Sequence, residues 1–246
     1  MNAVLEIHDV AVRFGMVTAA DGLTLSIARG ELVGLIGPNG AGKTTFLNLV
    51  TGYTRPDEGR ILVLGKEITG KHPSQVTAMG VGRSFQTPQL FLDLTVVENV
   101  LLALAAAEGI SLRWWRRLRQ HDREERAHAI LRRFGLEADG DRRATQIAEG
   151  TRKILDVALA FALAPKLLLM DEPTSGVSID TKFDVMDTLV SALRDEGVTA
   201  LFVEHDMDVV RRYAERVLVL SEGRIIADGT PDHVLADEVI RRSVAG

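Results

Sequence analysis

A glycine-rich stretch at residues 37–44 constrains the fold more than any other part of this chain. It reads Gly-Pro-Asn-Gly-Ala-Gly-Lys-Thr and matches the phosphate-binding pattern G-x-x-x-x-G-K-[ST]. An apolar run at 31–36 predicts a buried strand before it, and residues 44–50 predict an apolar-faced helix after it. In this context backbone amides turn inward around phosphate oxygens, and the helix dipole favours their negative charge. The stretch therefore predicts a phosphate site between a strand and a helix.

The residues of this stretch are candidates for binding a nucleotide: Gly37, Pro38, Asn39, Gly40, Ala41, Gly42, Lys43, Thr44 and Thr45. The ammonium of Lys43 can reach the β- and γ-phosphates, and the hydroxyl of Thr44 is a suitable ligand for Mg²⁺. The alternative is a glycine-rich turn that matches the pattern by chance. Glycine, lysine and threonine in register between a strand and a helix weigh strongly against that alternative.

Composition and charge weigh against several classes of protein. The 246 residues, 46% of them hydrophobic, suffice for one large domain or for a core with a subdomain. A net charge of −5 weighs against a general nucleic-acid binder, and the absence of cysteine excludes disulfides and thiolate metal sites. No run approaches the ~20 apolar residues that cross a bilayer, and residues 1–6 lack the features of a signal peptide. We expect a soluble protein whose membrane role, if it has one, comes through a partner.

Two adjacent carboxylates, Asp171 and Glu172, follow an apolar run at 166–170 that predicts a buried strand. An acidic residue at the end of such a strand is where a P-loop ATPase places the aspartate that orients Mg²⁺. The adjacent Glu172 is suited to accept a proton from an attacking water. Two solvated loop acids are the alternative, and the upstream phosphate-binding pattern weighs against it.

A histidine, His205, follows a β-rich run at 198–203. A lone histidine is usually structural. However, this strand follows the Asp171 strand by one helix, so its end should open on the same edge of the sheet. We therefore expect His205 at the same edge as Asp171.

Alternating apolar and polar residues at 4–14 and 23–27 predict an antiparallel strand pair, with Asp21-Gly22 as the turn between the strands. Phe14 lies at the end of the first strand. Its ring is suited to stack on an adenine, and a core or edge aromatic is an equally good interpretation on spacing alone.

The middle of the chain contains further elements. Residues 80–86 predict a strand that ends in Gln86. Thr95 and Glu98 have the spacing of a capping box at the start of a helix over 95–107. A second apolar-faced helix is predicted over 154–164.

The stretch around Trp114 and Trp115 combines basic and aromatic side chains. One interpretation is a surface that touches lipid headgroups or a membrane partner. The other is a solvated helix whose tryptophans pack on its own subdomain. The acidic residues Asp122, Glu124 and Glu125 dilute the positive charge and favour the second interpretation.

Taken in order, these motifs resemble the nucleotide-binding subunit of ATP-binding-cassette (ABC) transporters, and the resemblance covers essentially the whole chain. The phosphate-binding pattern is shared by many families, whereas the ordered set is specific. The matches are residues 37–45 to the Walker A motif, Gln86 to the Q-loop glutamine, 147–151 to the signature motif, 167–172 to the Walker B motif, 175–178 to the D-loop and His205 to the switch histidine. Phe14 then falls where the family stacks an aromatic side chain on adenine.

The resemblance implies an α/β fold with a P-loop NTPase (RecA-like) core, an antiparallel β subdomain and an inserted α-helical subdomain. One domain would cover residues 1–246, with the helical subdomain at about 87–163. The implied activity is hydrolysis of ATP with Mg²⁺. The implied catalytic residues are Glu172, His205, Gln86 and Lys43, the metal ligands are Thr44, Gln86 and Asp171, and the residues that contact a second subunit's nucleotide are Ala148 and Gly150.

Finer features resemble the importers of branched-chain amino acids and of related hydrophobic or polar amides. They are the sequences at 83–86, 90–91, 94–99, 204–208 and 228–231, together with the segment that holds both tryptophans. This closer resemblance implies two cassettes, identical or related, that sandwich two ATP molecules. It also implies transmembrane permease subunits docked near residues 86–99, an indirect role for a substrate-binding protein, no nucleic acid, and a peripheral location at the cytoplasmic face of the inner (cell) membrane.

Two positions depart from the family pattern. The usual signature is Leu-Ser-Gly-Gly-Gln, and residues 147–151 read Ile-Ala-Glu-Gly-Thr, so that Ala148 replaces the serine that would meet the γ-phosphate. Ser178 replaces the D-loop aspartate. Related importers often carry alanine at the first position. Both departures affect the expected rate of hydrolysis more than the expected function.

Two other functions compete with the importer. A soluble cassette ATPase of DNA repair or of ribosomes usually has coiled-coil insertions or tandem cassettes, and this chain has neither. A non-hydrolysing ATP-dependent regulatory module is suggested by Ala148 and Ser178. The intact Glu172 and His205 argue against that module.

Overall fold

The computed structural model describes residues 3–109, 120–238 and 240, which form two β-sheets and a set of α-helices. The strands are β1 (Ala3–Phe14), β2 (Val17–Ala28), β3 (Leu32–Ile36), β4 (Glu58–Val63), β5 (Lys66–Glu67), β6 (Val81–Arg83), β7 (Leu167–Asp171), β8 (Thr199–Val203), β9 (Arg216–Ser221) and β10 (Arg224–Gly229). The α-helices are α1 (Lys43–Val50), α2 (Pro73–Ala78), α3 (Val96–Ala107), α4 (His121–Arg133), α5 (Glu149–Ala162), α6 (Lys182–Asp195), α7 (Met207–Tyr213) and α8 (Pro231–Ala236).

The larger sheet has six strands in the order β10-β9-β3-β8-β7-β6. Strand β3 pairs in parallel with β8 and β9, and β7 pairs in parallel with β8 and β6. Strands β3, β7 and β8 are buried at every position. Parallel strands need cover on both faces, which explains why these three sequences are almost continuously apolar.

Two hydrophobic clusters cover the two faces of this sheet. Because side chains alternate along a strand, Leu32 and Ile36 of β3 pack into one cluster, and Val33 and Leu35 pack into the other. The first cluster includes residues of α3 to α8. The second joins the sheet to α1, α2 and the smaller sheet. Packing on both faces therefore fixes the end of β3, where the phosphate-binding loop begins.

The parallel strands place several loops at one edge of the larger sheet. Strands β3, β6, β7 and β8 run in the same direction, so their carboxyl ends lie together. The loops that follow these strands begin at Gly37, Ser84, Glu172 and Glu204. His205 accordingly lies at the same edge as Asp171.

The smaller sheet is antiparallel, with the strand order β2-β1-β4-β5. The predicted α/β fold class with an antiparallel β unit is therefore confirmed. The predicted turn at Asp21-Gly22 is wrong, because Phe14 pairs with Val17 and the chain turns between these two residues.

Gly22 lies inside β2, where its φ is 66°, and the register of its partner strand β1 shifts close to Asp9, whose φ is 50°. An aspartate-glycine pair supplies the positive φ of a β-bulge as readily as that of a turn. The sequence pattern alone could not separate these two uses.

Helices α3, α4 and α5 lie between β6 and β7 in the chain and pack on one another. The predicted capping box of α3 is confirmed, since the Glu98 N–H donates to Thr95 Oγ1 at 3.2 Å and the Thr95 N–H donates to Glu98 Oε2 at 3.0 Å. Helix α5 begins at Glu149, earlier than the predicted start at residue 154. The first turns of α5 carry polar side chains, among them Arg152 and Lys153, which donate to main-chain carbonyls of neighbouring segments. A search for apolar periodicity therefore does not detect these turns as helical.

The segment around Trp114 and Trp115 lies outside the described residues, so both interpretations of it stay open. Among the helices that the structure describes, none combines the length and the apolar character needed to cross a bilayer.

Candidate active site

The phosphate-binding loop connects β3 to α1 through residues 37–42. Gly42 is the N-cap of α1, so no side chain at that position accepts from the first-turn amides. Such amides, together with the helix dipole, are suited to bind an anion. Thr44 is exposed and Thr45 is partly exposed, which leaves the Thr44 hydroxyl accessible from solvent.

Close packing explains two glycines of this loop. A Cβ on Gly42 would lie 2.5 Å from the carbonyl oxygen of Ala19, and a Cβ on Gly37 would lie 2.1 Å from that of Leu220. The φ of Gly42, 103°, is also in the left-handed region that favours glycine. Strands β2 and β9 therefore press on the loop backbone, and only glycine permits the approach.

Lys43 places its ammonium against the loop that precedes it. Its Nζ donates to the carbonyl of Gly37 at 2.6 Å and to that of Pro38 at 2.9 Å. Burial lowers the pKa of Lys43, and the carboxylates of Glu172 and Asp171 oppose that shift. The ammonium is thus within electrostatic range of both strand-end carboxylates.

The carboxylate of Glu172 is held by side chains from two neighbouring loops. Gln86 Nε2 donates to Glu172 Oε2 at 2.8 Å, and His205 Nε2 lies 2.9 Å from Glu172 Oε1. The Glu172 side chain is 18% exposed and that of His205 is 44% exposed, so water can reach the group. A carboxylate that is fixed on both sides and open to water is suited to act as a general base.

Glu172 also has an unusual backbone conformation, with a φ of 51°. Its N–H donates to the Val203 carbonyl at 3.0 Å, and its own carbonyl accepts from the Ser175 N–H at 3.1 Å. A left-handed residue with a β-carbon is uncommon, and such strain concentrates at functional sites where neighbours over-determine it. Here the conformation turns the chain away from β7 and presents the carboxylate to Gln86 and His205.

Asp171, the last residue of β7, is paired with a buried arginine. Arg83 Nη2 donates to Asp171 Oδ2 at 3.0 Å, and neither side chain is more than 10% exposed. Arg83 Nη1 also donates to Asn48 Oδ1 of α1 at 2.6 Å. Arg83 thereby connects Asp171 to the helix that follows the phosphate-binding loop.

Thr44, Gln86 and Asp171 are the predicted ligands of Mg²⁺. The described residues contain no cluster of three or more histidine, cysteine, aspartate or glutamate side chains that could hold a metal ion. Mg²⁺ at nucleotide sites uses one or two protein oxygens and takes the other ligands from phosphates and water. The accessible Thr44 hydroxyl and the Asp171 oxygen that Arg83 does not contact fit that requirement.

The remaining predicted residues lie on other elements. Phe14 is 54% exposed at the end of β1 and is therefore not a core residue. Ala148 is the exposed N-cap of α5 and makes no side-chain capping bond. A Cβ on Gly150 would make only ordinary van der Waals contacts, the nearest at 3.4 Å from Val185. Ala148 and Gly150 thus lie at the N-terminus of α5 rather than on the loops that meet at Glu172. This chain's own packing does not require the glycine.

Sequence reasoning missed the charged residues that support the site: Arg83, Lys153, Asp156 and Glu204. Glu204 accepts from the Thr174 N–H at 2.9 Å and from the Thr174 hydroxyl at 2.7 Å, and burial raises its pKa. One signal was present. Asp156 is a charged residue within the predicted apolar-faced helix at 154–164, and a charge that is buried in such a helix requires polar partners.

Comparison with known proteins agrees with this geometry. The family model for ABC transporters matches residues 20–175. The high-affinity branched-chain amino acid transport ATP-binding protein LivG of Escherichia coli K12 is 34% identical, across 98% of this chain and 97% of that protein. The crystal structure of the ADP conformation of MJ1267, an ATP-binding cassette of an ABC transporter, matches with a TM-score of 0.88 and 31% identity over 100% of both chains.

A further solved structure, the dimer of the bacterial ABC transporter cassette MJ0796, matches with a TM-score of 0.79 and 26% identity over 92% of this chain and 98% of that one. The resemblance to ABC cassettes that the motifs indicate is thus confirmed over nearly the whole length. The chain belongs to the ABC transporter family and is an ATPase.

Proposed function

We propose that this chain is the ATP-hydrolysing subunit of a membrane importer for branched-chain amino acids or related small amides. The observation that carries the hydrolytic part is the Glu172 carboxylate, bound on both sides by Gln86 and His205 at the sheet edge where the phosphate-binding loop begins. The cargo class rests on the transport role in the name of the Escherichia coli relative.

Within one cassette, each residue has a separate role. Lys43 and the loop amides bind the phosphates and stabilise the charge that develops as the bond to the γ-phosphate breaks. Thr44, Gln86 and, through a water molecule, Asp171 would hold Mg²⁺, which would supply further neutralisation of the phosphate charge. Phe14 stacks on the adenine.

The attacking water is handled by two side chains. Glu172 accepts a proton as the water oxygen bonds to the γ-phosphorus, and the products are ADP and inorganic phosphate. His205 holds the water and the γ-phosphate in line. His205 Nε2 lies 2.9 Å from Glu172 Oε1, and this contact between the two side chains supports the division of roles.

Two cassettes, identical or related, sandwich two ATP molecules. Ala148 and Gly150 of one cassette then face the γ-phosphate that the other cassette binds, and closure of the pair is coupled to transport. Two observations support this arrangement. Ala148 is exposed, and Gly150 is not required by its own fold. Each chain would be one domain over residues 1–246, and Ala148 and Gly150 would belong to its helical subdomain at about 87–163.

Permease subunits dock near residues 86–99, and a substrate-binding protein acts through them. Two large apolar side chains of this region are exposed, Phe91 at 56% and Leu92 at 49%, which suits a protein contact. The cassette then lies peripherally at the cytoplasmic face of the cell membrane.

Copurification tests the importer proposal. The tagged chain, recovered from gently solubilised membranes of its source organism, should bring down permease subunits and a substrate-binding protein. Recovery of ribosomes or DNA-repair proteins instead would favour a non-transport cassette. Phosphate release from ATP separates an ATPase subunit from a non-hydrolysing regulatory module.

Ala148→Ser is expected to tighten the ATP-driven dimer in a Glu172→Gln background. A hydrogen bond from a hydroxyl to a charged phosphate oxygen contributes about 1.5–3 kcal/mol. If the whole of this contribution appears in dimerisation, the dimer dissociation constant falls by about 10- to 150-fold. Loop amides that already contact the phosphate would reduce that gain. Monomer affinity for ATP should not change. Sedimentation with and without Mg-ATP, beside a titration of the monomer, measures both quantities.

Helix capping requires a control, because a serine at position 148 would also cap α5 and raise the monomer's stability by about 1 kcal/mol. Ala148→Asp caps the helix equally well but places a negative charge toward the phosphate. Both variants should therefore raise the melting temperature, while only the serine strengthens the dimer. Equal effects of the two variants on dimerisation would contradict a phosphate contact at this position.

Gly150→Ala is expected to separate folding from dimerisation. A glycine in a helix costs about 0.5–1 kcal/mol relative to alanine, and the structure leaves room for the Cβ, so the variant's melting temperature should stay level or rise. The same methyl group would obstruct a nucleotide that approaches the turn from outside. The ATP-dependent dimer should weaken, and an undiminished dimer would count against the sandwich.

A further inference from the structure

Two oppositely charged side chains lie buried on one face of α5. Lys153 is 3% exposed and Asp156 is 5% exposed, and their spacing of three residues brings them to the same side of the helix. Burial lowers the pKa of Lys153 and raises that of Asp156, and the opposite charges partly offset both shifts.

Asp156 holds the backbone on both sides of Gln86. Its Oδ2 accepts from the Phe85 N–H at 2.8 Å, and its Oδ1 accepts from the Gln89 N–H at 2.8 Å. Both carboxylate oxygens are thus used on the glutamine loop, defined here as residues 84–89. These bonds are to main-chain amides, so they fix the path of the loop irrespective of its side chains.

Lys153 connects the two residues whose side chains meet in the active site. Its Nζ donates to the carbonyl of Gln86 and, at 3.3 Å, to the carbonyl of Glu172. The side chains of the same two residues are joined by the 2.8 Å bond between Gln86 Nε2 and Glu172 Oε2. One ammonium therefore binds the main chain at both ends of this contact, including the left-handed residue that carries the carboxylate.

We infer that Lys153 and Asp156 are positioning residues for ATP hydrolysis, which from α5 set the backbone geometry of the glutamine loop and of Glu172 and so the placement of the general base. Helix α5 begins at the turn of Ala148 and Gly150. The N-terminus of α5 would thus face the nucleotide of the partner cassette, while Lys153 of the same helix binds the main chain of Glu172 in its own cassette. The inference rests on the proposed role of Glu172 and is independent of the cargo and of the permease.

The test compares three variants of the whole chain without permease. Lys153→Met keeps most of the apolar part of the side chain and removes the ammonium that donates the hydrogen bonds. Lys153→Arg restores a cationic donor. Arg123→Met is the matched control. Arg123 is another buried cation, 2% exposed, which lies on α4 and pairs at 2.6 Å with Glu108 at the end of α3 rather than with a residue of the site. For each variant kcat and KM for ATP, the ATP dissociation constant and the melting temperature are measured.

We expect Lys153→Met to lower kcat by about 10- to 100-fold, the effect of a small misplacement of a catalytic group, and to leave ATP affinity nearly unchanged. Lys153→Arg should recover part of kcat. Arg123→Met should lose stability but keep kcat at temperatures where it is folded. Unchanged kcat in Lys153→Met, or equal losses of kcat in Lys153→Met and Arg123→Met, would overturn the inference.

Amide hydrogen exchange tests the loop contact without turnover. Asp156→Asn has one acceptor oxygen in place of two, so the amide of Phe85 or of Gln89 should exchange about 5- to 30-fold faster than in the wild type. Unchanged exchange at both amides would contradict the anchoring role. If instead no permease copurifies while these changes are observed, the importer proposal fails and the positioning inference stands.

Discussion

Glu172→Gln is expected to retain ATP binding and to lose turnover by about 10²- to 10⁴-fold, the contribution typical of a positioned general base. Glutamine has the same shape as glutamate but cannot take a proton from water. Its amide can keep both neighbours, since the oxygen can accept from Gln86 and the NH₂ group can donate to His205 Nε2. The loss would therefore reflect chemistry rather than a collapsed site.

A second left-handed glutamate provides the matched control. Glu222 has a φ of 48° and is exposed in the turn between β9 and β10, so Glu222→Gln makes the same change in the same backbone conformation outside the site. Phosphate release and an ATP titration are measured for both variants. Near-normal turnover by pure Glu172→Gln would remove Glu172 from the role of base.

The parts of the site that were predictable from the sequence are those made by contiguous residues. The phosphate-binding loop needs only its own glycines, lysine and threonine between a strand and a helix, and all of these are adjacent in the chain. The edge at which His205 and Asp171 lie follows from the alternation of strands and helices. Local pattern and parallel topology are thus sufficient for the frame of the site.

The supporting contacts were not predictable, because they join distant parts of the chain. Arg83 and Asp171 are 88 residues apart, and Lys153 and Gln86 are 67 residues apart. The sequence shows that each residue is charged, but only the fold shows which charges are buried and what they contact. The early start of α5 was missed for the same reason, since the polar side chains of its first turns are used in tertiary contacts.

Lys43→Met is expected to weaken ATP binding by about 10- to 150-fold, because a hydrogen bond from a charged donor contributes about 1.5–3 kcal/mol. Methionine keeps an apolar stem in a position that is only 8% exposed, so the fold should tolerate the change better than it would tolerate a cavity. The carbonyls of Gly37 and Pro38 lose a donor, which could distort the loop independently of the charge.

Two comparisons separate loss of charge from distortion of the loop. Adenosine has no phosphate, so its affinity should be unchanged if only the ammonium matters and reduced if the loop has moved. Lys66→Met, which removes an exposed lysine of β5, should leave both affinities at the wild-type value. Isothermal titration with ATP and adenosine gives both constants. Lys43→Met with wild-type affinity for ATP would mean that the Lys43 ammonium does not contact the bound phosphates, and it would remove this residue from the proposed site.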